Sequence, residues 1–223
     1  AHSDNLVEMA QCMKKLLKKE GTIIIEVQYL MNTLKDLTFD NIYHEHYNYW
    51  SLTSLINFFN QLDLTLYRVE KIDTHGGSLR VYLSKKKIKI HSSVKRVLAE
   101  EERFGLKKFS TYKKFSEKIY NMKYRLTKNL KKLKEKNKSL IGYGAPAKAT
   151  TALNFFGLKN IFDFIIEDNK LKHGKYVPGV QIPILSKNKI KKKASLVVVL
   201  AWNFFDDIKK NNTHISDNFL SIK

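Results

Sequence analysis

The first hydrophobic pattern in the chain is that of an amphipathic helix followed by a strand. Apolar side chains recur every three or four residues, at Leu6, Met9, Met13, Leu16 and Leu17. Asn5 and Glu8 have the spacing of an N-terminal capping box, and Gly21 is predicted to end the helix. The β-branched run at 22–27 then predicts a buried strand of a parallel sheet. This helix-to-strand order indicates an α/β fold.

The next two patterns predict a helix and a hairpin. One apolar face consists of Leu55, Ile56, Phe58, Phe59 and Leu62. Thr53 is the predicted N-cap of this helix. Strand-like runs at 64–72 and 79–83 flank a His-Gly-Gly connection, whose glycines permit positive φ or the close approach of a ligand. We expect this hairpin to complete a first domain at residues 1–88.

A long helical pattern follows the hairpin and then gives way to a second α/β unit. The helical stripe consists of Phe115, Ile119, Met122, Leu126, Leu130 and Leu133. It predicts a long connecting helix within a connector at 89–138. For residues 139–223 we predict a strand at 139–141, a turn at 142–148, a helix at 149–156, strands at 161–166 and 196–201, and a helix at 203–210.

Composition narrows the class of protein. The 223 residues are 43% hydrophobic and 12% aromatic, which is typical of a folded chain. No apolar run approaches the roughly 20 residues that a membrane-spanning helix requires, and no secretory signal is recognisable. We therefore expect a cytoplasmic protein with no membrane partner. The single cysteine, Cys12, excludes a cysteine-ligated zinc within this chain.

The formal charge of +20 invites comparison with nucleic-acid-binding proteins. Much of this charge lies in lysine-rich runs at 85–89, 131–138 and 187–193. These runs contain Asn and Ile but lack the interleaved aromatic residues that stack on bases. A coding bias toward Lys, Asn and Ile gives the same pattern. The sequence therefore predicts a solvated basic surface rather than a specific nucleic-acid partner.

The segment at 43–50, Tyr-His-Glu-His-Tyr-Asn-Tyr-Trp, concentrates candidate chemistry. Imidazoles beside a carboxylate and phenols can transfer protons near neutral pH. The pair His44 and His46 with Glu45 is alternatively a metal site, for which His75 is the obvious further ligand. A structural aromatic loop is the third interpretation, and acid/base catalysis is favoured.

The turn Gly-Tyr-Gly-Ala-Pro-Ala-Lys at 142–148 follows a predicted strand and opens a helix. Backbone N–H groups and the helix dipole bind phosphate in this setting. Ala147 stands where a dinucleotide fingerprint has its third glycine, and Glu167 and Asp168 come near the ribose position. The turn thus predicts phosphate or nucleotide binding, with a merely tight turn as the alternative.

Two further pairs of residues are weaker candidates for ligand binding. Ser78 and Arg80 follow the His-Gly-Gly connection and have the donors for a phosphate, although an exposed strand arginine is equally ordinary. Trp202 and Asn203 follow the last apolar strand, where α/β folds place ligand contacts, but Trp202 is also a candidate for packing.

Four motifs together resemble the S-adenosylmethionine-dependent sugar C-methyltransferases. In chain order these are Phe-Asp-Asn-Ile-Tyr-His-Glu-His at 39–46, Thr-His-Gly-Gly-Ser-Leu-Arg at 74–80, the turn at 142–148, and Leu-Ala-Trp-Asn-Phe at 200–204. The family methylates C3 of a nucleotide-linked 4-keto deoxysugar. It has a zinc-binding domain, a class I methyltransferase domain and a C-terminal Rossmann-like domain that helps to bind the nucleotide sugar.

The resemblance assigns roles to individual residues. It makes His46 the general base, with Tyr43 and Glu45 in the same active site. We assign substrate binding to His75, Gly76, Gly77, Ser78, Arg80, Gly142, Gly144, Lys148 and Asn203. The pyrophosphate is expected near 142–148 and the sugar ring facing His46. No residue of this chain is assigned to the cofactor or to a metal.

The resemblance also implies a fold. We expect an incomplete class I methyltransferase-type sheet at 1–88, the helical connector at 89–138, and a Rossmann-like three-layer domain at 139–223. The zinc domain and the glycine-rich loop for S-adenosylmethionine match segments upstream of Ala1. We therefore expect an N-terminally truncated chain, inactive as a methyltransferase alone, or one completed by a missing N-terminal half or a separate subunit. The alternatives are a nicotinamide-dependent Rossmann oxidoreductase, a basic nucleic-acid-binding protein and a structural protein.

Overall fold

A computed structural model describes residues 2–74, 76–136 and 138–222. The chain forms two compact units. The first unit comprises Ala1–Thr38 and His44–Ser116, and the second unit comprises Phe39–Tyr43 and Glu117–Lys223. Within the described part of the chain, no helix combines the length and apolarity needed to cross a bilayer.

The first unit contains one three-stranded sheet and its helices. Its elements are α1 (Leu6–Leu16), β1 (Ile23–Gln28), α2 (Leu30–Lys35), α3 (Leu52–Asn60), β2 (Thr65–Ile72), β3 (Ser78–Ser84) and α4 (Ser92–Phe104). The strand order is β1-β3-β2, and β3 pairs antiparallel with both neighbours. The predicted hairpin is confirmed by the pairing of β2 with β3.

The predicted parallel pairing of the first strand is wrong. β1 lies at the edge of the sheet and runs antiparallel to β3. Its burial alternates, and Ile24 exposes 57% of its surface. An apolar run of this length does not distinguish a strand buried on both faces from an edge strand whose outer face is open. The order β1-β3-β2 by itself does not identify a class I methyltransferase sheet.

Helix boundaries in the first unit follow local capping. Asn5 accepts a hydrogen bond from the Glu8 amide at the start of α1, as predicted. For α3 the cap is Ser51 instead of Thr53, because the Ser51 and Ser54 side chains form a reciprocal capping box. The buried carboxylate of Glu101 in α4 also accepts a bond from the Leu52 amide, which places a negative charge at the α3 N-terminus.

The connector consists of two helices, and the second of them contains the predicted stripe at 115–133, which confirms the predicted long helix. α4 ends at Gly105, which adopts a left-handed conformation with φ +80. The Thr111 hydroxyl donates to the Gly105 carbonyl over 2.8 Å and holds the break. α5 (Phe109–Glu135) then carries the chain from the first unit into the second.

The second unit contains a five-stranded parallel sheet. Its elements after α5 are β4 (Leu140–Tyr143), α6 (Ala147–Phe156), β5 (Ile165–Ile166), β6 (Ile184–Leu185), β7 (Leu196–Val199), α7 (Phe205–Asn211) and β8 (Phe219–Ser221). The order is β6-β5-β4-β7-β8, with every pair parallel. Counted from β4 this is the order 3-2-1-4-5, which is consistent with a Rossmann-like domain.

The Phe39–Tyr43 segment packs on the second unit, although its neighbours Thr38 and His44 belong to the first. The Phe39 ring lies 5.3 Å from the Phe155 ring and 5.1 Å from the Phe156 ring at the end of α6. Asp40 and Asn41 are buried in the same segment.

Candidate functional site

The strand order of the second unit creates a switch point between β4 and β7. Chain connections leave these two strands in opposite directions, which opens a crevice at their carboxyl ends where open α/β sheets bind ligands. The turn after β4 leads to the N-terminus of α6, whose first N–H groups have no partner within the helix. Trp202 and Asn203 follow β7 at the same edge of the sheet.

The two glycines of the turn are required by packing. Gly144 has φ +88, and a Cβ added there would lie 2.7 Å from the Ala201 Cβ. A Cβ on Gly142 would lie 2.7 Å from Cγ1 of Ile165. The tight-turn interpretation therefore accounts for both glycines, which leaves Lys148 and the start of α6 as the groups suited to an anion.

Lys148 lies half-buried beside an indole and a carboxylate. Its Nζ is 5.0 Å from the centroid of the Trp202 ring, a cation–π contact. Burial lowers the pKa of Lys148 below its ordinary value, and the charge of Asp40 opposes this shift. A ligand anion would favour the charged form of Lys148 in the same way.

Asp40 completes this group and was not predicted. It exposes 3% of its surface, and one carboxylate oxygen accepts a 2.6 Å hydrogen bond from Trp202 Nε1. Asp40 and Trp202 are 162 residues apart in the chain, so no local pattern joins them. The available signal was a carboxylate directly after Phe39 in a segment rich in apolar and aromatic residues.

Glu167, which comes near the predicted ribose position, stabilises the turn at 142–148. Its carboxylate accepts hydrogen bonds from the Ala145 amide at 2.8 Å and from the Asn169 amide at 3.0 Å. Lys172 Nζ lies 3.5 Å away. Burial alone would raise the pKa of Glu167, but these hydrogen bonds and the lysine charge outweigh it and lower the pKa.

Asp168 stabilises the end of β4 through a contact with Tyr143. It accepts a 2.9 Å hydrogen bond from the Tyr143 hydroxyl and lies 3.5 Å from Lys187 Nζ. Burial and this carboxylate raise the pKa of Tyr143 to about 12. Both acids after β5 thus stabilise the strand and turn that precede Lys148.

The chain leaves the second unit and re-enters the first within the segment that contains the predicted acid/base residues. Tyr43 belongs to the second unit, and Glu45 and His46 belong to the first. His46 is half-buried, with its ring stacked on His2 at a centroid distance of 5.0 Å and edge-on to Tyr49 at 6.3 Å. The neighbouring His44 side chain is 88% exposed, and its Nε2 lies 3.9 Å from Glu45. The general-base role of His46 stays a prediction.

The two glycines that follow His75 pack against the start of α2. His75 lies outside the described residues. Gly76 and Gly77 have φ of 83 and 105, and the Tyr29 amide donates to the Gly77 carbonyl over 3.1 Å. A Cβ on Gly77 would lie 2.0 Å from Asn32 Nδ2. The glycines therefore serve the contact with α2, and their role in substrate binding stays a prediction.

The two polar residues after this turn already have protein partners. Buried Ser78 donates its hydroxyl to the Thr74 carbonyl over 3.2 Å. Arg80 Nη2 lies 2.9 Å from Oε2 of Glu26, which faces it across β1 and β3. The hydrogen bond to Glu26 raises the pKa of Arg80. Their assignment to the substrate site stays a prediction.

Among the residues that the structure describes, no three or more His, Cys, Asp or Glu side chains are grouped so as to hold a metal ion. The proposed metal interpretation of His44, Glu45 and His46 needs a further ligand, and His75 lies outside those residues.

Comparisons with known proteins place these residues in a family context. The family model described as the C-methyltransferase C-terminal domain matches residues 73–219. C-methyltransferase NovU of Streptomyces niveus is 31% identical over 222 residues, which cover 98% of this chain and 53% of the relative. The chain therefore spans about half the length of the curated relative that it matches.

Proposed function

This chain belongs to the C-methyltransferase family as its C-terminal part, and we propose that it binds a nucleotide-linked 4-keto deoxysugar and supplies the general base for C-methylation. The observation that supports binding is the group formed by Lys148, Asp40 and Trp202 at the carboxyl ends of β4 and β7. Under this proposal the pyrophosphate lies near Lys148 and the N-terminus of α6.

The physical case for an anion here combines two features. The N-terminus of a helix presents free N–H groups and a positive dipole end to phosphate. Lys148 adds a cation whose burial makes the charged form costly, so a bound anion returns part of that cost. Asn203 is exposed directly after Trp202 and supplies an amide at the same edge.

The proposed base is the imidazole of His46. A proton on the carbon next to a ketone is acidic because the negative charge left behind spreads onto oxygen, and a neutral imidazole can accept it near pH 7. In this step the C–H bond breaks, the proton passes to His46, and the enolate is the nucleophile. Tyr43 and Glu45 are proposed to lie in the same active site.

The family's methyl donor is S-adenosylmethionine, which supplies an electrophilic methyl group when bound. Packing on Asn32 and Ala201 accounts for Gly77 and Gly144, and the turn after β4 is proposed to bind the nucleotide sugar, so neither turn is assigned to this cofactor. We therefore assign it no residue of this chain and propose that it binds another part of the full-length enzyme.

Titration calorimetry with a dTDP-linked 4-keto deoxysugar tests the binding proposal. We expect saturable heat at submillimolar ligand, and no heat at millimolar ligand with folded protein would refute it. Proton abstraction is tested without the methyl donor, by following exchange of the sugar C3 hydrogen in D2O by NMR. The variant His46→Gln is expected to bind the sugar but to lose exchange. Equal exchange by His46→Gln would exclude His46 as the base.

The oxidoreductase alternative receives less support from the second unit. A dinucleotide site uses an acid after the second strand for the ribose, whereas Glu167 is engaged by the Ala145 and Asn169 amides. A fluorescence titration that shows tight NADH binding would reverse this preference.

We also propose that the first unit is completed by the remaining half of the full-length protein or by a separate subunit. β1 is an edge strand, and its Ile24 is 57% exposed. Open apolar edges are normally paired or covered. Hydrogen exchange of the β1 amides that do not pair with β3, measured in this chain and in the longer protein, should show strong protection only in the latter. Equal protection in both would contradict the proposal.

A further inference from the structure

The Phe39–Tyr43 segment brings a carboxylate into the second unit from a distant part of the sequence. Its flanking residues belong to the first unit, yet Phe39 packs on Phe155 and Phe156 of α6. This anchoring by two aromatic contacts fixes the backbone of the segment. It also places the side chain of Asp40 among residues that follow β4 and β7.

At that position Asp40 contacts Trp202, and Trp202 in turn contacts Lys148. Its carboxylate accepts the 2.6 Å hydrogen bond from Trp202 Nε1, so the indole edge is held in place. Lys148 Nζ lies over the face of the same indole, 5.0 Å from the centroid. The carboxylate, the indole and the ammonium therefore form one connected group at the crevice.

The buried charge of Asp40 is compensated by Lys148. A carboxylate that exposes 3% of its surface is costly unless it is hydrogen-bonded and compensated by a cation. The charge of Asp40 acts on Lys148 and raises the lysine pKa against the effect of burial. Trp202, which follows β7 and whose ring contacts Lys148, is uncharged. The charge of Asp40 therefore favours a protonated Lys148.

We propose that Asp40 is a positioning residue of the nucleotide-sugar site, which fixes the Trp202 indole and holds a charged Lys148 where the ligand phosphate binds. This inference rests on the proposed function. It gives the aspartate in the Phe-Asp-Asn-Ile-Tyr-His-Glu-His motif a role in binding, distinct from proton transfer by His46. It also links the segment that leads into His46 to the residues proposed to bind the nucleotide.

The test compares Asp40→Asn with Asp207→Asn, an exposed carboxylate in α7. Both are made in a Trp50→Phe background, so that Trp202 is the sole remaining tryptophan. We expect Asp40→Asn to change the emission of Trp202 and to weaken binding of the dTDP-sugar about tenfold at pH 7. Asp207→Asn is expected to match the background in both measurements.

The pH dependence of binding separates positioning from general structural damage. Without the carboxylate of Asp40 the pKa of Lys148 falls further, so affinity should begin to decline at a lower pH than in the background protein. Lys148→Met should abolish this decline. A variant that was merely less stable would lose affinity without moving the pH at which the decline begins.

Each outcome decides between the two proposals. If the background protein binds the sugar and Asp40→Asn binds equally well with the same pH profile, the positioning role is refuted and the proposed function stands. If the background protein does not bind, both fall. Should Asp40→Asn fail to fold, Trp202→Phe removes the same hydrogen bond with its carboxylate retained. Wild-type affinity in Trp202→Phe, measured with Trp50 in place, would then overturn the inference.

Discussion

Two glycine turns, each followed by a cation, differ in what surrounds that cation. In the first unit the His-Gly-Gly turn leads to Arg80, whose side chain is 39% exposed and paired with Glu26 at 2.9 Å. In the second unit the turn after β4 leads to half-buried Lys148 beside Asp40 and Trp202. The sequence made both turns candidates for an anion.

The pKa shifts of the two cations have opposite signs. Arg80 gains a carboxylate on an exposed sheet surface, and its pKa rises. Burial dominates at Lys148, and its pKa falls. A cation that already has a partner gains little from a second anion, whereas a cation disfavoured by burial gains more. The comparison therefore ranks Lys148 above Arg80 as an anion ligand.

The glycines of the two turns also differ in the atoms that an added Cβ would meet. A Cβ on Gly77 would meet Asn32, a side chain that can rotate away, whereas a Cβ on Gly144 would meet Ala201, including its backbone nitrogen at 3.2 Å. The second turn is therefore less able to accept a side chain than the first.

The largest expected effect is on stability, from Gly144→Ala. Its left-handed φ costs about 1 kcal/mol for an alanine, and overlap with Ala201 adds about 2 kcal/mol. Gly157→Ala is the matched control, since φ is +70 there and no atom lies within 4 Å of the added Cβ. Denaturant unfolding followed by Trp202 fluorescence in the Trp50→Phe background reports on the second unit alone. Equal losses in both variants would show that Ala201 moves aside.

The next effect is on ligand binding, from Lys148→Met. Loss of a charge-assisted contact with phosphate should weaken dTDP-sugar binding about 10- to 100-fold. Lys159→Met, at an exposed position of the same unit, controls for the loss of one positive charge. Calorimetry of Arg80→Met beside these two tests the ranking. An equal or greater loss in Arg80→Met would invert the comparison.

A smaller effect is expected from Tyr143→Phe. The pKa of Tyr143 rises from 10.0 to about 12 in the folded state. Its stabilising contribution is therefore complete below pH 10 and is lost as the pH rises toward 12. Wild-type protein should exceed Tyr143→Phe by about 1 kcal/mol at pH 8, and the difference should shrink above pH 10. A difference independent of pH would show that the phenol is not buried against Asp168.

Sequence patterns predicted the local elements well and the long-range arrangement less well. The hairpin, the helix predicted at 149–156 and its closure by Gly157 follow from local spacing and capping, and they are confirmed, although the helix begins two residues earlier, at Ala147. The antiparallel edge position of β1 depends on which strand returns beside it, and that strand begins 50 residues later. Gly105 supplied a local signal for the break between α4 and α5, but the continuous charge and apolar spacing concealed it.

The candidate site likewise contains residues with a local sequence signal and one residue, Asp40, without one. Gly144 and Lys148 were predicted to bind substrate, and Trp202 was a weaker candidate, because each follows a strand at the end where ligands bind. Their roles in binding stay predictions. Asp40 escaped prediction because its partners lie more than 100 residues away and become neighbours only when the Phe39–Tyr43 segment packs on α6. A buried carboxylate is recognisable only from its surroundings, whereas a glycine turn carries its own signal.

The smallest expected effect is on the stability of the first unit, from Arg80→Met. Exposed ion pairs contribute little to stability, and Glu26 retains the Thr74 hydroxyl at 2.6 Å as a donor when Arg80 is lost. Unfolding followed by Trp50 fluorescence in a Trp202→Phe background isolates this unit. Glu26→Gln should lose slightly more, because it removes the negative charge and one of the two oxygens that accept hydrogen bonds from Thr74 and Arg80. High salt should reduce the difference between wild-type protein and Arg80→Met, since it screens the pair. A loss of stability in Arg80→Met as large as that in Gly144→Ala would mean that the pair behaves as a buried one. Arg80 would then differ less from Lys148 than its exposure indicates.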